Sequence, residues 1–477
     1  MSRLLPLAAL ALLVSGCATV RPEAAADDLR RTLSDRTDAP VVWRTGSEAD
    51  AEADRARDAL LADSLSADAA VQVALLNNPR LQATYEDLGI AQASLVQAGL
   101  LGNPVFGGRV LWGLEESGAP DLGFRVAVEF LDVLWIPLRR RVARSEYQAA
   151  RLRVAEAVLD LAATTRRAYT RAQADRLRLE MHARIVQNAE AAYTAALLLR
   201  EAGTIPAADL LAEQARYEQA RLDLVMAEQT ATESRETLVR RMGLMSGGVR
   251  LGGRLMPVPE VEPLAFESGG DALDVAALET RALASSLALE AARYDAEAFA
   301  QRLGLDRTRG VLPAFEVGAE AERTDGDWEA GPEVQVTLPL FDQGQARRAA
   351  TESALRRARA EHRAVAVDVR SATRVLATRL AATRRVALQY QRVLLALRQE
   401  LSQQTLRQYN AMQVGVFGLL QAQEAEAQAA RRYADALAAY WDARTDLDAL
   451  LAGRMPDLGT SMRPASGSAS PSRDAGH

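Results

Sequence analysis

Cysteine occurs once in 477 residues and histidine three times. The lone thiol, Cys17, excludes an internal disulfide, and His182, His362 and His477 lie far apart with no cysteine partners, so no metal-ligand spacing exists. Aromatic residues make up only 5% of the chain. Lys and Arg number 57 against 63 Asp and Glu, and the formal charge of -6 leaves no global basic field for a nucleic-acid backbone. There is no Gly-rich phosphate loop, no Gly-x-Ser-x-Gly elbow and no His-Glu-x-x-His pair, so the sequence reads as no enzyme, with no cofactor and no metal. After Cys17 no stretch of about 18 apolar residues occurs, which excludes a transmembrane helix and leaves a β-barrel as the one possible span.

What is present begins with an address. Met1-Ser2-Arg3 precede the apolar run Leu4 to Val14, the basic n-region and short h-region of a signal peptide over residues 1–16. Val14-Ser15-Gly16-Cys17 resembles the bacterial lipobox, which implies acylation of Cys17 (palmitate among the chains) and a lipidated segment over 17–65. An ordinary signal peptide with an incidental cysteine is the alternative, because general signal peptidase also wants small residues. Ala18, where an Asp would retain a lipoprotein at the inner membrane, resembles Gram-negative lipoproteins sorted to the outer membrane.

The chain also repeats. An offset of 208 aligns Val126 with Val334, Arg139 with Arg347, Asp160 with Asp368, Arg166 with Arg374 and Arg176 with Arg384. Beyond the long helices an offset of 209 aligns Ala202 with Ala411 and Leu210 with Leu419, an extra residue attributed to the helix break. Arg-rich and Ala-rich composition alone could produce such matches, but not a shared order of element types. Each copy reads as helix, strand, polar loop, strand, long helix, break, helix. In the first copy these are Pro79–Leu101, Pro104–Trp112, Phe124–Phe130, Arg139–Ala202 and Ala207–Met242; in the second, Ser285–Leu303, Pro313–Glu322, Glu333–Leu338, Gln345–Ala411 and Phe417–Leu451. Asn78-Pro79 is a capping signal. The copies span 66–245 and 271–453, with a linker over 246–270 and a disordered Ser/Pro/Gly-rich tail over 454–477. Long helices of about 95 to 100 Å beside pairs of shorter ones suit a tall wall of constant height.

The strands alternate. Phe124, Val126, Val128 and Phe130 share one face and Arg125 and Glu129 the other; Phe315, Val317, Ala319 and Ala321 alternate with Glu316 and Glu320. A half-buried soluble sheet shows the same pattern, but an exported chain with no other spanning option makes these barrel strands. Arg125, Glu129, Glu316, Glu320 and Glu333 are then expected to line a lumen, with Phe124, Val126, Val128, Val334, Val336 and Leu338 facing lipid. Four strands cannot close a barrel. Two copies would supply eight and three copies twelve, and a lumen wide enough to conduct favours three.

Ala74-Leu75-Leu76-Asn77-Asn78-Pro79-Arg80-Leu81 before the first hairpin, and Leu338-Pro339-Leu340-Phe341-Asp342-Gln343-Gly344 before the second long helix, resemble the TolC-like outer membrane factor family over about residues 66–453. The resemblance implies a mainly α fold with a small β part: a homotrimer with a 12-stranded outer membrane barrel on an α-helical coiled-coil tunnel in the periplasm. It implies a passive exit duct of a tripartite efflux system, with a periplasmic adaptor protein and an inner-membrane transporter as partners. A type I protein secretion channel, a structural coiled-coil lipoprotein, a lipid-anchored enzyme and an adaptor are the alternatives; an adaptor would carry one hairpin, not two copies. Matching adaptor-docking tips are Gly203, Thr204, Ile205 and Val414, Gly415, Val416. Both glycines are expected at positive φ, with Ile205, Val414 and Val416 exposed. Gln404, Arg407 and Gln408 are candidates for the periplasmic aperture, with a bland solvated helix end as the alternative. Leu134-Trp135-Ile136-Pro137-Leu138 lacks the Asp-x-Gly of the second copy. Substrate stays open among drugs, metal ions, peptides and proteins.

Overall fold

The computed structural model describes residues 22–37, 41–46, 48–112, 120–129, 131–246, 248–253, 255–259, 273–310, 315–324, 327–337 and 340–456. The signal peptide, Cys17, Phe130, Leu338, most of the linker and residues 457–477 lie outside the described residues. The order of elements is α1 Pro22–Leu33, α2 Glu48–Ala62, α3 Ala67–Asn77, α4 Pro79–Gln97, β1 Val105–Leu111, β2 Asp121–Glu129, α5 Asp132–Glu201 and α6 Ala207–Arg241, followed by α7 Val275–Ser285, α8 Leu287–Arg309, β3 Phe315–Thr324, β4 Asp327–Val336, α9 Gln345–Gln389, a π-turn Tyr390–Leu394, α10 Leu395–Asn410 and α11 Val416–Leu451.

The helices form a wall four columns wide. One column is α4 stacked end to end on α6, the next is α5, the third is α8 stacked on α11, and the fourth is α9 continuing through the π-turn into α10. At 1.5 Å per residue α5 is about 105 Å long, while α4 and α6 are about 29 and 53 Å. Two short helices and a joint thus flank one long helix. The first joint is built by asparagines: Asn78 Oδ1 accepts from the N–H groups of Arg80 and Leu81, capping α4, while its Nδ2 donates to the Arg241 carbonyl at the end of α6. Asn77 Nδ2 donates to the carbonyls of Met242 and Gly243. At the second joint Ser286 caps α8 and the Leu287 N–H donates to the Gly453 carbonyl, 3.0 Å away.

Two apolar clusters hold the wall at mid-height, one where α1, α3 and α4 pack on α5 around Tyr85, Leu152 and Leu238, the other where α7, α9 and α11 meet around Leu376, Leu380 and Tyr440. The connection between the copies runs across both. Leu251 packs on the first cluster, and Val258 is part of the second. Tyr169 Oη donates to the carbonyls of Leu65 and Gly252, tying this strap and the end of α2 to α5. Arg454, read from sequence as the start of a loose tail, is 3% exposed and paired with Asp160 at 2.6 Å.

Boundaries differ from the sequence reading in three places. The first long helix begins at Asp132, seven residues early, with Pro137 inside its first turns. Strand β4 begins at Asp327 and carries Gly331-Pro332, which from sequence reads as loop; proline is tolerated because β4 has a neighbour on one side only. The extra residue between the copies is not in the tip turn. Helix starts at 79 and 287 differ by 208, whereas the long helices end at 201 and 410 and so differ by 209. The residue is inserted upstream of the tip, and a π-turn is the geometry of such an insertion in an α-helix.

Gly243 and Gly203 both adopt φ +70°. At Gly243 a Cβ would meet the Asn77 carbonyl oxygen at 2.8 Å, whereas at Gly203 nothing lies within 4 Å. Gly203→Ala should therefore cost only the left-handed conformation, about 1 kcal/mol. Gly243→Ala should cost about 2 to 4 kcal/mol through added backbone displacement at the joint. Thermal unfolding of both variants in detergent, followed by circular dichroism, checks the order; equal midpoints would refute it.

Candidate functional site in the sheet face, the wall and the tips

The four strands form one antiparallel sheet in the order β1-β2-β3-β4. Register settles which residues share a face: Arg125 pairs with Glu320, Glu129 with Glu316, Gly318 with Glu333 and Gly123 with both Arg109 and Glu322. Arg125, Glu129, Glu316, Glu320 and Glu333 thus lie together on one face. The other carries Phe106, Val110, Phe124, Val126, Val128, Val317, Trp328, Val334 and Val336. Among the described residues nothing covers that apolar face: Phe106 is 68% exposed, Val334 58% and Trp328 55%. Phe106, Phe124 and Trp328 stack in a row across it, centroids 6.1 Å apart.

The polar face is knit by cross-strand ion pairs. Arg125 reaches Glu333 at 2.7 Å and Glu316 at 2.9 Å, and its Nη2 also donates to Gln335. Arg109 Nη2 donates to Glu322 at 2.6 Å, a pair absent from the sequence reading because Gly107 and Gly108 blur the alternation of β1. At the foot of the sheet, buried Asp132 takes both guanidinium branches of Arg139, at 2.6 and 3.0 Å. Asp306 there accepts from Thr351 at 2.7 Å and pairs with Arg347. The first pair also holds the approach to β1, Asp132 accepting from the Gly102 N–H and Arg139 donating to the Leu100 carbonyl, and the second joins α8 to α9. The missing Asp-x-Gly of the first copy is compensated by Asp132 inside the helix.

Charges also lie within the wall. Arg167 pairs with the buried Asp446 at 2.9 Å, and Arg178 bridges Asp175 of its own helix and Asp435 of α11. Asp442 sits in this cluster with its Oδ1 unpartnered; burial pushes its carboxyl up to about 6, against the pull of Arg167 and Arg171 and with help from Asp446. His182 and His362 lie half-buried on the long helices, His182 beside Arg431. No group of His, Cys, Asp and Glu fit to hold a metal ion occurs among the described residues.

At the tips the sequence expectation is half met. Gly203 has φ +70°, but Gly415 has φ -74° and ψ 164°, the extended geometry of a helix N-cap. Met412 takes the left-handed turn position instead, at φ 57°. Ile205, Val414 and Val416 are half-buried rather than exposed, because each turn folds its apolar residues against the adjoining helix ends; the exposed apolar residue is Met412, at 95%. Thr204 Oγ1 closes its turn by donating to the Leu199 carbonyl. Gln404, Arg407 and Gln408 are all exposed on α10, with Gln404 bonded to Glu400.

Residues 136–244 match the family model of the outer membrane efflux protein. No curated protein matches the chain in sequence. Its fold is that of solved outer membrane channels. The CmeC channel of Campylobacter jejuni is 13% identical at a TM-score of 0.65, over 82% of this chain and 86% of that one. The VceC outer membrane protein of Vibrio cholerae is 14% identical at 0.63, over 82% and 97%. The open state of the MtrE channel of Neisseria gonorrhoeae is 15% identical at 0.61, over 81% and 88%. The family so matched is one of passive channels, not of enzymes.

The Asp442 cluster gives a pH dependence. The folded carboxyl titrates above its ordinary value of 3.8, near 6, so the unfolded chain gives up this proton first as pH rises. Its contribution therefore turns against the folded state between about pH 4 and pH 6 and stays so above. Asp442→Asn should remove about 1 to 3 kcal/mol of that penalty at pH 7 and none at pH 4. Comparing unfolding midpoints of variant and wild type at the two pH values tests it; a variant less stable at pH 7 than at pH 4, relative to wild type, would refute the sign.

Proposed function

We propose that three copies of this chain form a passive exit duct through the outer membrane, fed by a periplasmic adaptor and an inner-membrane transporter. One observation carries the reading: a sheet with a charged face and an apolar face, the apolar one covered by none of the described residues. Such a sheet suits lipid on one side and water on the other. Its edges β1 and β4 are unpaired within the protomer, and three four-stranded sheets joined β4 to β1 close an antiparallel barrel of twelve strands. The wall agrees. Its outer columns expose apolar stripes, Leu211, Leu222, Val225 and Met226 on α6, and Val386, Val393, Leu397 and Leu401 on α9 and beyond, which a head-to-tail ring would bring together. The recurrence of α3-α4 as α7-α8 at a spacing of 208 supports an internal duplication. On this reading Arg125, Glu129, Glu316, Glu320 and Glu333 line the lumen, lipid on Cys17 holds the N-terminus at the membrane, and the turns at 203–205 and 414–416 receive the adaptor. Gln404, Arg407 and Gln408 stand near the periplasmic mouth.

Two experiments test it. A cation on the lipid side costs about 2 to 4 kcal/mol near the bilayer midplane, whereas a lumen change leaves assembly alone. Val128→Arg should lower the yield of heat-modifiable trimer in the outer membrane, and Glu129→Gln should not. Equal yields would overturn the assignment of faces. At the tip, a Cβ on Gly415 meets nothing within 4 Å, and its backbone is extended, so a large side chain is accepted without strain. Gly415→Trp should abolish export, read as loss of drug tolerance conferred with its transporter, while the trimer still forms. Full export by that variant would remove the tip from the mechanism.

A further inference from the structure

We infer that the π-turn Tyr390–Leu394 is a hinge for α10, and that Gln391 is the positioning residue that latches it to the strap between the two copies. The inference rests on reading α10 as part of the duct's periplasmic end.

The turn is a local loosening at a chosen height. The Leu395 N–H donates to the Tyr390 carbonyl, five residues back, so the regular helical ladder is interrupted there. Above the turn α9 is well anchored, with Val369, Ala372, Leu376, Ala377, Leu380 and Ala387 buried; below it α10 buries only Ser402. Within its own protomer this arm is the least anchored part of the helix beyond the widened turn, its exposed Leu397 and Leu401 being left to the neighbouring copy.

The latch lies in the turn itself. Gln391 Oε1 accepts two hydrogen bonds, from the Val258 N–H at 3.2 Å and from Tyr433 Oη on α11 at 3.0 Å. The strap around Val258 is pinned on both sides: Trp441 Nε1 donates to the Met256 carbonyl at 2.9 Å, and Arg384 Nη2 reaches the Pro259 carbonyl. Val258 is buried in the cluster that Tyr390 and Tyr433 pack against. On α5 the same strap is held by Gln173 and by Arg176, which donates to the carbonyls of Leu251 and Gly253. That helix has no π-turn and runs unbroken from 132 to 201. The strap therefore grips both long helices, and only on the second does its grip fall on a flexible joint. Because Gln391 serves here as acceptor alone, Glu can replace it, whereas Leu leaves the Val258 N–H and the Tyr433 O–H unpaired.

Hydrogen exchange on the purified full-length protein in detergent, with conductance in planar bilayers alongside, tests the hinge. Gln391→Leu should speed exchange of amides in Leu395–Asn410 about tenfold while Ala207–Arg241 keeps its rate, and should raise mean conductance; Gln391→Glu should match wild type in both. Tyr433→Phe, which removes one donor, should speed the same segment by a smaller factor, and carries the test if Gln391→Leu does not accumulate. Unchanged exchange in 395–410, or a Gln391→Glu form as loose as Gln391→Leu, would overturn the latch. Faster exchange with no conductance from any form, wild type included, would uphold the hinge and overturn the duct.

Discussion

A sheet whose apolar face no described residue covers sets the terms for the rest of the molecule. Each exposed apolar Å² costs about 25 cal/mol in water, so the row of Phe106, Phe124 and Trp328 with the valines beside it demands a non-aqueous neighbour. Among the described residues no helix supplies one: the long helices lie beyond the foot of the sheet, where Asp132 accepts from the Gly102 N–H ahead of β1 and Asp306 joins α8 to α9. On the proposed reading that neighbour is lipid. In lipid an open sheet edge is not tolerated, so β1 and β4 must pair, and with four strands per chain the pairing has to come from other copies. On that reading oligomerisation follows from the sheet before any helix is considered.

The helical wall then has to match the ring that the barrel dictates. Four columns per protomer stay level because two shorter helices and a joint flank each long one, and the joints are capped rather than looped. Asn78 starts α4 and ends α6 at once, and Gly243, with no Cβ, lets the chain pass against the Asn77 carbonyl. Packing along the columns is largely alanine, which brings helix axes close but buries little area per residue. The edge columns leave Leu222, Val225, Val393 and Leu397 exposed, which on the proposed reading the next protomer covers.

Much of this was legible in the sequence. The capping asparagine, the recurring order of elements, the alternation in β2 and β3 and the sharing of one face by Arg125, Glu129, Glu316, Glu320 and Glu333 depend on local periodicity, which one chain reveals. What escaped depends on tertiary context. Asp132 reads as a loop residue until Arg139 is folded back onto it, and Gly331-Pro332 reads as a turn until the strand is known to lie at an edge. Glycine at position 415 suggests a positive φ because glycine permits it, whereas the chain places Met412 in that conformation and uses the glycine at an N-cap. The one-residue change of offset was visible, but its place was not: the same arithmetic fits an insertion in the turn or anywhere along 26 residues of helix, and only backbone geometry at Tyr390–Leu394 locates it.

The charges inside the wall answer the question that alanine leaves open. Smooth alanine faces allow helices to slide, and a slide of one turn, about 5.4 Å, would change little apolar contact. Between α5 and α11 the pairs Arg167 with Asp446 and Arg178 with Asp435, and between α5 and the chain just after α11 the pair Asp160 with Arg454, sit at three different heights. Buried or half-buried pairs of this kind contribute little net stability, since desolvation offsets most of their attraction, yet leaving one partner alone costs several kcal/mol. A slide by one turn would strand all three at once. Asp442 is held near 6 by burial, although Arg167, Arg171 and Arg178 all pull its carboxyl down, so desolvation outweighs the attraction of the arginines around it. The wall therefore gains little depth of stability from these groups and much definition of height, and height is what decides whether the turns at Gly203 and Met412 end level with one another.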